Sequence, residues 1–145
     1  MRIVFLTVGG FKSKQLSSIF ETYFKRIGHF CKAEHQSIRT NQDLTGWLEK
    51  QKKRGTPSLF LILLDERGSE FTSKKFAQLI QKGFDSAKTI VFAVASSTGF
   101  DDSIQADLSL SLSQFTLAHE LASVVLCEQV YRALAILNRH PYHHE

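Results

Sequence analysis

Residues 108–145 read LSLSLSQFTLAHELASVVLCEQVYRALAILNRHPYHHE. The opening leucine/serine alternation over 108–113 has the period of a half-buried strand. Thr116 then stands as the N-cap of a long helix over 117–137. Its apolar residues, Leu117, Leu121, Val124, Val125, Leu126, Val130, Leu134, Ile136 and Leu137, cover more than one face. Such a helix needs more than one neighbour. Two are available in principle: the domain's own sheet, and the same helix of a second subunit. The tail at 140–145 is polar, aromatic and rich in imidazole.

Working back from this stretch, strands alternate with helices. RIVFLTV at 2–8, LFLILL at 59–64 and TIVFAVA at 89–95 are continuous apolar runs, the pattern of strands buried on both faces of a parallel sheet. A more polar strand over 31–39 belongs near an edge. Ser13, Asp43 and Thr72 are candidate caps for three further helices, ended at Gly28, at Gly55-Thr56-Pro57 and at Gly83. A polar loop follows at 65–68, and a short helical segment is expected near 102–106. The reading is a single α/β domain over 1–145, with a mostly parallel sheet and helices on both faces. In such sheets ligands bind beyond the carboxyl ends of the strands, which singles out the loops at 65–68, 95–99 and 113–118.

Composition fits a globular chain, with 43% hydrophobic and 22% charged residues. No apolar run reaches the roughly 18 residues of a membrane span, and no signal peptide precedes the first strand, so a cytoplasmic protein is expected. Cys31 and Cys127 stand far apart without a CxxC partner and read as reduced, buried thiols. Charge is uneven: residues 1–54 hold 11 Lys/Arg against 4 Asp/Glu, the remainder 7 against 10. The densest run, Lys50, Lys52, Lys53 and Arg54, reads either as a solvated helix end suited to the helix dipole or as a contact for a phosphate backbone. No nucleophile elbow or P-loop is present, and the tail histidines lack ligand partners, so no metal is expected.

Several segments are together specific. They are Leu64-Asp65-Glu66-Arg67-Gly68, the Leu-Ser-Leu-Ser strand from Leu110, Phe115-Thr116-Leu117-Ala118-His119, Glu128-Gln129-Val130-Tyr131-Arg132-Ala133, and His140-Pro141-Tyr142-His143. Over its full length the chain resembles the RlmH (YbeA-like) family of SPOUT-class methyltransferases, which modify a pseudouridine of large-subunit ribosomal RNA. The resemblance implies a C-terminal trefoil knot, a homodimer, and S-adenosyl-L-methionine as cofactor. It implies cofactor contacts at Leu64, Ser96, Gly99, Ser113, Gln114, Phe115, Thr116, Leu117 and Ala118. It also implies that Tyr142 and His143 of the tail meet the target base, with ring nitrogen 3 as methyl acceptor and His143 as the candidate base. Lys50, Lys52, Lys53, Arg54 and Arg132 are the candidate RNA contacts, Arg132 being equally suited to the subunit interface.

The chain departs from the family pattern in two places. Ala95-Ser96-Ser97-Thr98 stands where a glycine-rich turn is usual, and only Gly99 is kept. Ala118 and Ser123 replace a proline and an arginine. Side chains in a cofactor loop can crowd a ligand or forbid a positive φ, and serine cannot supply the donor fork of arginine. A knotted dimer that binds ribosomal RNA without cofactor or catalysis is therefore the alternative reading.

Overall fold

A computed structural model describes residues 1–56, 58–87 and 89–144; the helix stop expected at Pro57 and the last tail residue, Glu145, lie outside them. In chain order the elements are β1 (Arg2–Val8), α1 (Lys14–Ile27), β2 (Lys32–Ile38), α2 (Asn41–Lys53), β3 (Leu59–Glu70), α3 (Ser73–Ser86), β4 (Thr89–Val94), β5 (Leu108–Ser111) and α4 (His119–Leu137). The five strands are all parallel, in the order β2-β1-β4-β3-β5. The polar β2 therefore sits at one edge and the short β5 at the other.

The apolar runs are explained by period-2 alternation between two cores. Ile3, Phe5, Ile62, Ile90, Phe92 and Val94 join the larger core, with residues of α1, α3 and α4. Val4, Leu6, Leu61, Leu63, Val91 and Ala93 join the smaller one, with Leu44 and Trp47 of α2 and the partly buried Phe100, Ile104 and Ala106. Three helices thus cover one face, while α2 and the segment after β4 cover the other. Among the described residues no helix is long and apolar enough to cross a membrane.

The many-sided α4 finds most of its neighbours inside the subunit: it packs against α1 on one flank, α3 on the other and the sheet beneath. What remains outward is Leu121, 40% exposed, with half-buried Ala122 and Val125 beside it. Leu134, by contrast, is a core residue at 3% exposure.

Several local expectations change. The N-cap of α2 is Thr40, not Asp43: Thr40 accepts from the Asp43 N–H, and the Asp43 carboxylate accepts from the Thr40 N–H, closing a capping box. Gly83 does not end α3. It lies inside the helix, where a Cβ would come within 2.8 Å of the Ile90 side chain, and the helix continues to Ser86. The N-cap of α4 is Ala118, without a side-chain bond, because the Thr116 hydroxyl is donated to Glu66 instead. Residues 102–103 form a turn and 104–106 irregular chain, not a helix. Ser13 and Thr72 cap α1 and α3 as expected.

Candidate active site

The carboxyl ends of β3, β4 and β5 surround one cavity of about 780 Å³, a size suited to a cofactor-sized ligand. Its first wall comes from an irregularity in β3. Leu64 and Ser69 both stand opposite Leu110 of β5, so the four residues between them leave the ladder as an excursion, Asp65–Gly68. Gly68 brings this excursion back against β5 so closely that a Cβ would lie 2.5 Å from the Ser109 carbonyl oxygen. Within it the Asp65 carboxylate accepts from the backbone and side chain of Arg67, and these bonds hold it below its ordinary range.

The second wall is the turn after β4. Ala95 is buried, the Gly99 N–H bonds to the Ser96 carbonyl at 3.0 Å, and the Ser96 and Thr98 hydroxyls meet at 3.2 Å. Gly99 has φ +74°, the left-handed region that glycine enters freely. Ala95, Ser96, Ser97 and Thr98 do not; among described non-glycine residues only Arg139 has a positive φ. The substituted turn is therefore unstrained, and the cavity beside it stays open.

The third wall is the connection from β5 to α4. Ser113 turns it, accepting from the Phe115 N–H and receiving the Ser111 hydroxyl. The Thr116 hydroxyl donates to Glu66 at 2.7 Å and so ties the third wall to the first. Of the expected cofactor contacts, Leu64, Ser96, Gly99, Ser113, Phe115, Thr116, Leu117 and Ala118 line the cavity, whereas Gln114 does not. Phe115 is 82% exposed there.

Asn41, at the start of α2, was not legible from sequence. Its side-chain amide donates to the Gly99 carbonyl at 2.6 Å, tying the second wall to the start of α2, and its Oδ1 is buried without a partner. A lone asparagine at a helix start carries no signal that it reaches 58 residues along the chain. Glu120 escaped notice too: its carboxylate accepts from the N–H groups of Lys12 and Ser13 and joins the start of α1 to the start of α4.

The tail residues lie elsewhere. Tyr142 donates to Glu128 Oε1 at 2.8 Å and packs on Tyr131, with ring centroids 4.5 Å apart. Burial, then hydrogen bonds to Tyr23 and Glu128, push its phenol well above the ordinary range, so near neutrality it is a donor and not a base. Arg132 gives Nε and Nη2 to Glu128 Oε1, and Nη1 lies 3.2 Å from His143 Nδ1. Because a guanidinium only donates, Nδ1 accepts and the neutral ring carries its proton on Nε2. At 1.5 Å per residue, Glu128 and Arg132 are roughly 13 to 20 Å along α4 from His119, the helix's first cavity residue. Lys50, Lys52, Lys53 and Arg54 are exposed at the carboxyl end of α2, by the amino edge of the sheet. One protomer therefore does not bring the basic run, Arg132 or the tail to the cavity.

Ser123 is buried at 2% exposure and donates its hydroxyl to the His119 carbonyl. Cys127 is buried and Cys31 half-buried, its thiol pushed up to about 11 by burial. Neither thiol lines the cavity.

The family model described as "Predicted SPOUT methyltransferase" matches residues 1–143. The chain is 34% identical over its whole length to a protein of Porphyromonas gingivalis named ribosomal RNA large subunit methyltransferase H, covering all of that protein. It is 35% identical to one of the same name from Acetivibrio thermocellus, with 99% of each chain covered. The solved structure of the SpoU methyltransferase AviRb from Streptomyces viridochromogenes overlays with a TM-score of 0.49 at 12% identity, covering 91% of this chain and 57% of that one, a likeness too loose to argue from.

Proposed function

The chain belongs to the SPOUT methyltransferase family, and from that premise we propose that it methylates large-subunit ribosomal RNA with S-adenosyl-L-methionine held in the strand-end cavity. The observation that carries the reading is the convergence of the three loops, far apart in sequence, on one cavity beyond the carboxyl ends of three adjacent parallel strands. The trefoil knot and the choice of nitrogen 3 of a pseudouridine as acceptor belong to this reading, as does a cytoplasmic site of action on ribosomal RNA.

The walls suit the cofactor. Leu64, Leu117 and Ala95 offer apolar surface, while the hydroxyls of Ser96 and Thr98 and the backbone of Gly99 offer polar partners. Asp65, Glu66, Asp101 and Asp102, against Arg67 alone among lysines and arginines, line the cavity and favour a cation. When bound, the cofactor supplies an electrophilic sulfonium methyl for in-line transfer to the ring nitrogen. What the chain supplies is position: the tie between Thr116 and Glu66 and the tie between Asn41 and Gly99 fix the walls against one another, the kind of preorganisation on which such a reaction rests.

The acceptor side is incomplete in one protomer, which is the argument for a homodimer. Leu121 and Phe115 leave apolar surface uncovered near the cavity, and a second copy seated there would bring its own tail towards it. In that arrangement the Nε2–H of His143 donates to the target base, while Tyr142, its proton given to Glu128, meets the base with its ring and phenol oxygen. His143 can take the imide proton only once its Nδ1 is released from Arg132.

Calorimetric titration with S-adenosyl-L-methionine, followed by methyl transfer to assembled ribosomes and to free ribosomal RNA, tests the reading. Saturable binding with transfer is expected. Absence of binding at millimolar ligand would overturn it and favour the RNA-binding protein without a cofactor.

A further inference from the structure

At the carboxyl end of α1, the guanidinium of Arg26 lies 5.4 Å from the centroid of the Tyr23 ring and 5.7 Å from that of Tyr131. Tyr131 is only 6% exposed and is itself packed against Tyr142 and Phe30. The arginine, though exposed, therefore rests on a rigid platform. Among the described residues it makes no ion pair or side-chain hydrogen bond. Its neighbours at i−4 and i−3 are Thr22 and Tyr23, and His29 and Phe30 follow just past the helix end, so no carboxylate stands at helical ion-pairing spacing. Glu128, the nearby acid, is already committed to Arg132 and Tyr142.

Arg132 is the contrast. All three of its nitrogens are engaged, two by Glu128 and one by His143, and its plane is covered by Tyr142 at 4.8 Å. Of the two arginines packed on the Tyr131 and Tyr142 rings, only Arg26 keeps its fork of donors unspent. Lys25, His29 and Lys32 are exposed around it, so the local charge favours an anion. A guanidinium fixed by two rings loses little freedom when its edge meets a phosphate.

Resting on the reading of this chain as a ribosomal RNA methyltransferase, we propose that Arg26, held on the Tyr23–Tyr131 platform, is an RNA-phosphate contact beside the tail, and that Arg132 is instead the residue that positions Tyr142 and His143. A cation in the last turn of α1 also complements the helix dipole, but that role needs only a charge, whereas the contact needs the fork.

Binding of salt-washed ribosomes to the full-length protein, measured across a salt series, separates these roles. R26A is expected to weaken binding roughly tenfold and to lower the salt slope by about one, the share of a single phosphate. R26K, which keeps the charge but not the fork, should restore part of the slope and little of the affinity. Affinity for S-adenosyl-L-methionine and the melting temperature should not change. Wild-type affinity and slope in R26A, with ordinary salt-dependent binding by the wild type, would overturn the contact and leave the methyltransferase reading intact. Full recovery in R26K would show that a point charge suffices there and equally overturn the fork contact. Absence of ribosome binding by the wild type would instead remove the premise.

Discussion

Replacing Gly68 with alanine probes the wall that shapes the cavity. The added Cβ would stand 2.5 Å from the Ser109 carbonyl oxygen, 2.6 Å from its carbon and 2.8 Å from the Leu110 nitrogen. All three are backbone atoms, so no side chain can rotate away; the excursion or β5 must move by about half an ångström or more. β5 has four residues and pairs only with β3, so it is the part that yields. Overpacking of this kind costs about 1–3 kcal/mol, and the upper half of that range is expected because the obstacle is main chain. At roughly 2–4 °C per kcal/mol for a chain of this size, melting should fall by about 4–12 °C. Affinity for S-adenosyl-L-methionine should fall with it, since Leu64 and Ser113 flank the displaced ladder. The matched control is G46A in α2, where a Cβ meets nothing within 4 Å and helix propensity predicts a gain of up to about 1 kcal/mol. Scanning calorimetry and ligand titration on both variants read the result. A G68A protein that melts and binds like the wild type would refute the close approach and with it the rigid first wall.

Four further outcomes are expected. N41A removes the bond from α2 to the Gly99 carbonyl; at about 1 kcal/mol for such a bond, cofactor affinity should drop several-fold with kcat nearly unchanged, and an unaltered isotherm would count against the tie. Reversing Lys50, Lys52, Lys53 and Arg54 to glutamate should weaken ribosome binding and flatten its salt dependence, while binding unchanged across the series would exclude that helix end. L121E should convert a dimer to a monomer in sedimentation without lowering the melting temperature of the monomer, and a monomeric wild type would remove the dimer. His35 bonds through Nε2 to Thr7 among Phe11, Phe20 and Phe24, and burial pushes its pKa down against the opposing charge of Glu21. The unfolded chain then takes up a proton near pH 6.5 that the folded chain refuses. Stability is full above that pH and declines as pH falls through the folded value, and H35Q should flatten this decline in urea titrations at successive pH values.

The three central strands, β1, β3 and β4, were legible because each apolar run exceeds what a one-sided strand needs, and Ser13 and Thr72 were legible as caps because local bonding decides caps. Where a long-range partner competes, the local reading fails. Thr116 gives its hydroxyl to Glu66, 50 residues away, and leaves α4 to begin without a side-chain cap. Gly83 looked like a helix stop because its close approach to Ile90 is invisible along the chain. The three cavity loops could be named from the parallel-sheet rule, but Asn41 could not, since only the folded pairing of α2 with the Gly99 turn gives it a role. The expected strain at Ala95-Ser96-Ser97 is absent because only Gly99 needs a positive φ.

The distribution of charge accounts for the separation between cavity and tail. Every helix starts at the carboxyl edge of the parallel sheet and ends at the amino edge, and the basic last turns of two of them lie at the latter, Lys25 and Arg26 on α1 and Lys50, Lys52 and Lys53 on α2, while α3 and α4 end without one. The cavity edge carries Asp65, Glu66, Asp101 and Asp102. A cationic methyl donor and a polyanionic acceptor are thereby drawn to opposite ends of one subunit, separated by most of the length of α4, roughly 28 Å for 19 residues. Transfer demands contact, and in the proposed homodimer it is met across subunits, the RNA-facing end of one copy reaching the cavity of the other. On this reading the acidic mouth keeps the RNA backbone of its own subunit's basic end away from the cavity, and only a base presented by the partner's tail enters. A covalently linked pair with G68A in one subunit and tail truncation after Asn138 in the other tests it. With both lesions in the same subunit, each composite site loses one side, the cavity in one and the tail in the other, and activity should collapse. With the lesions in different subunits, one composite site is crippled on both sides and the other is intact, retaining about half of the activity. The reverse pattern, about half of the activity with both lesions in one subunit and collapse with the lesions split, would show that each subunit completes its own site.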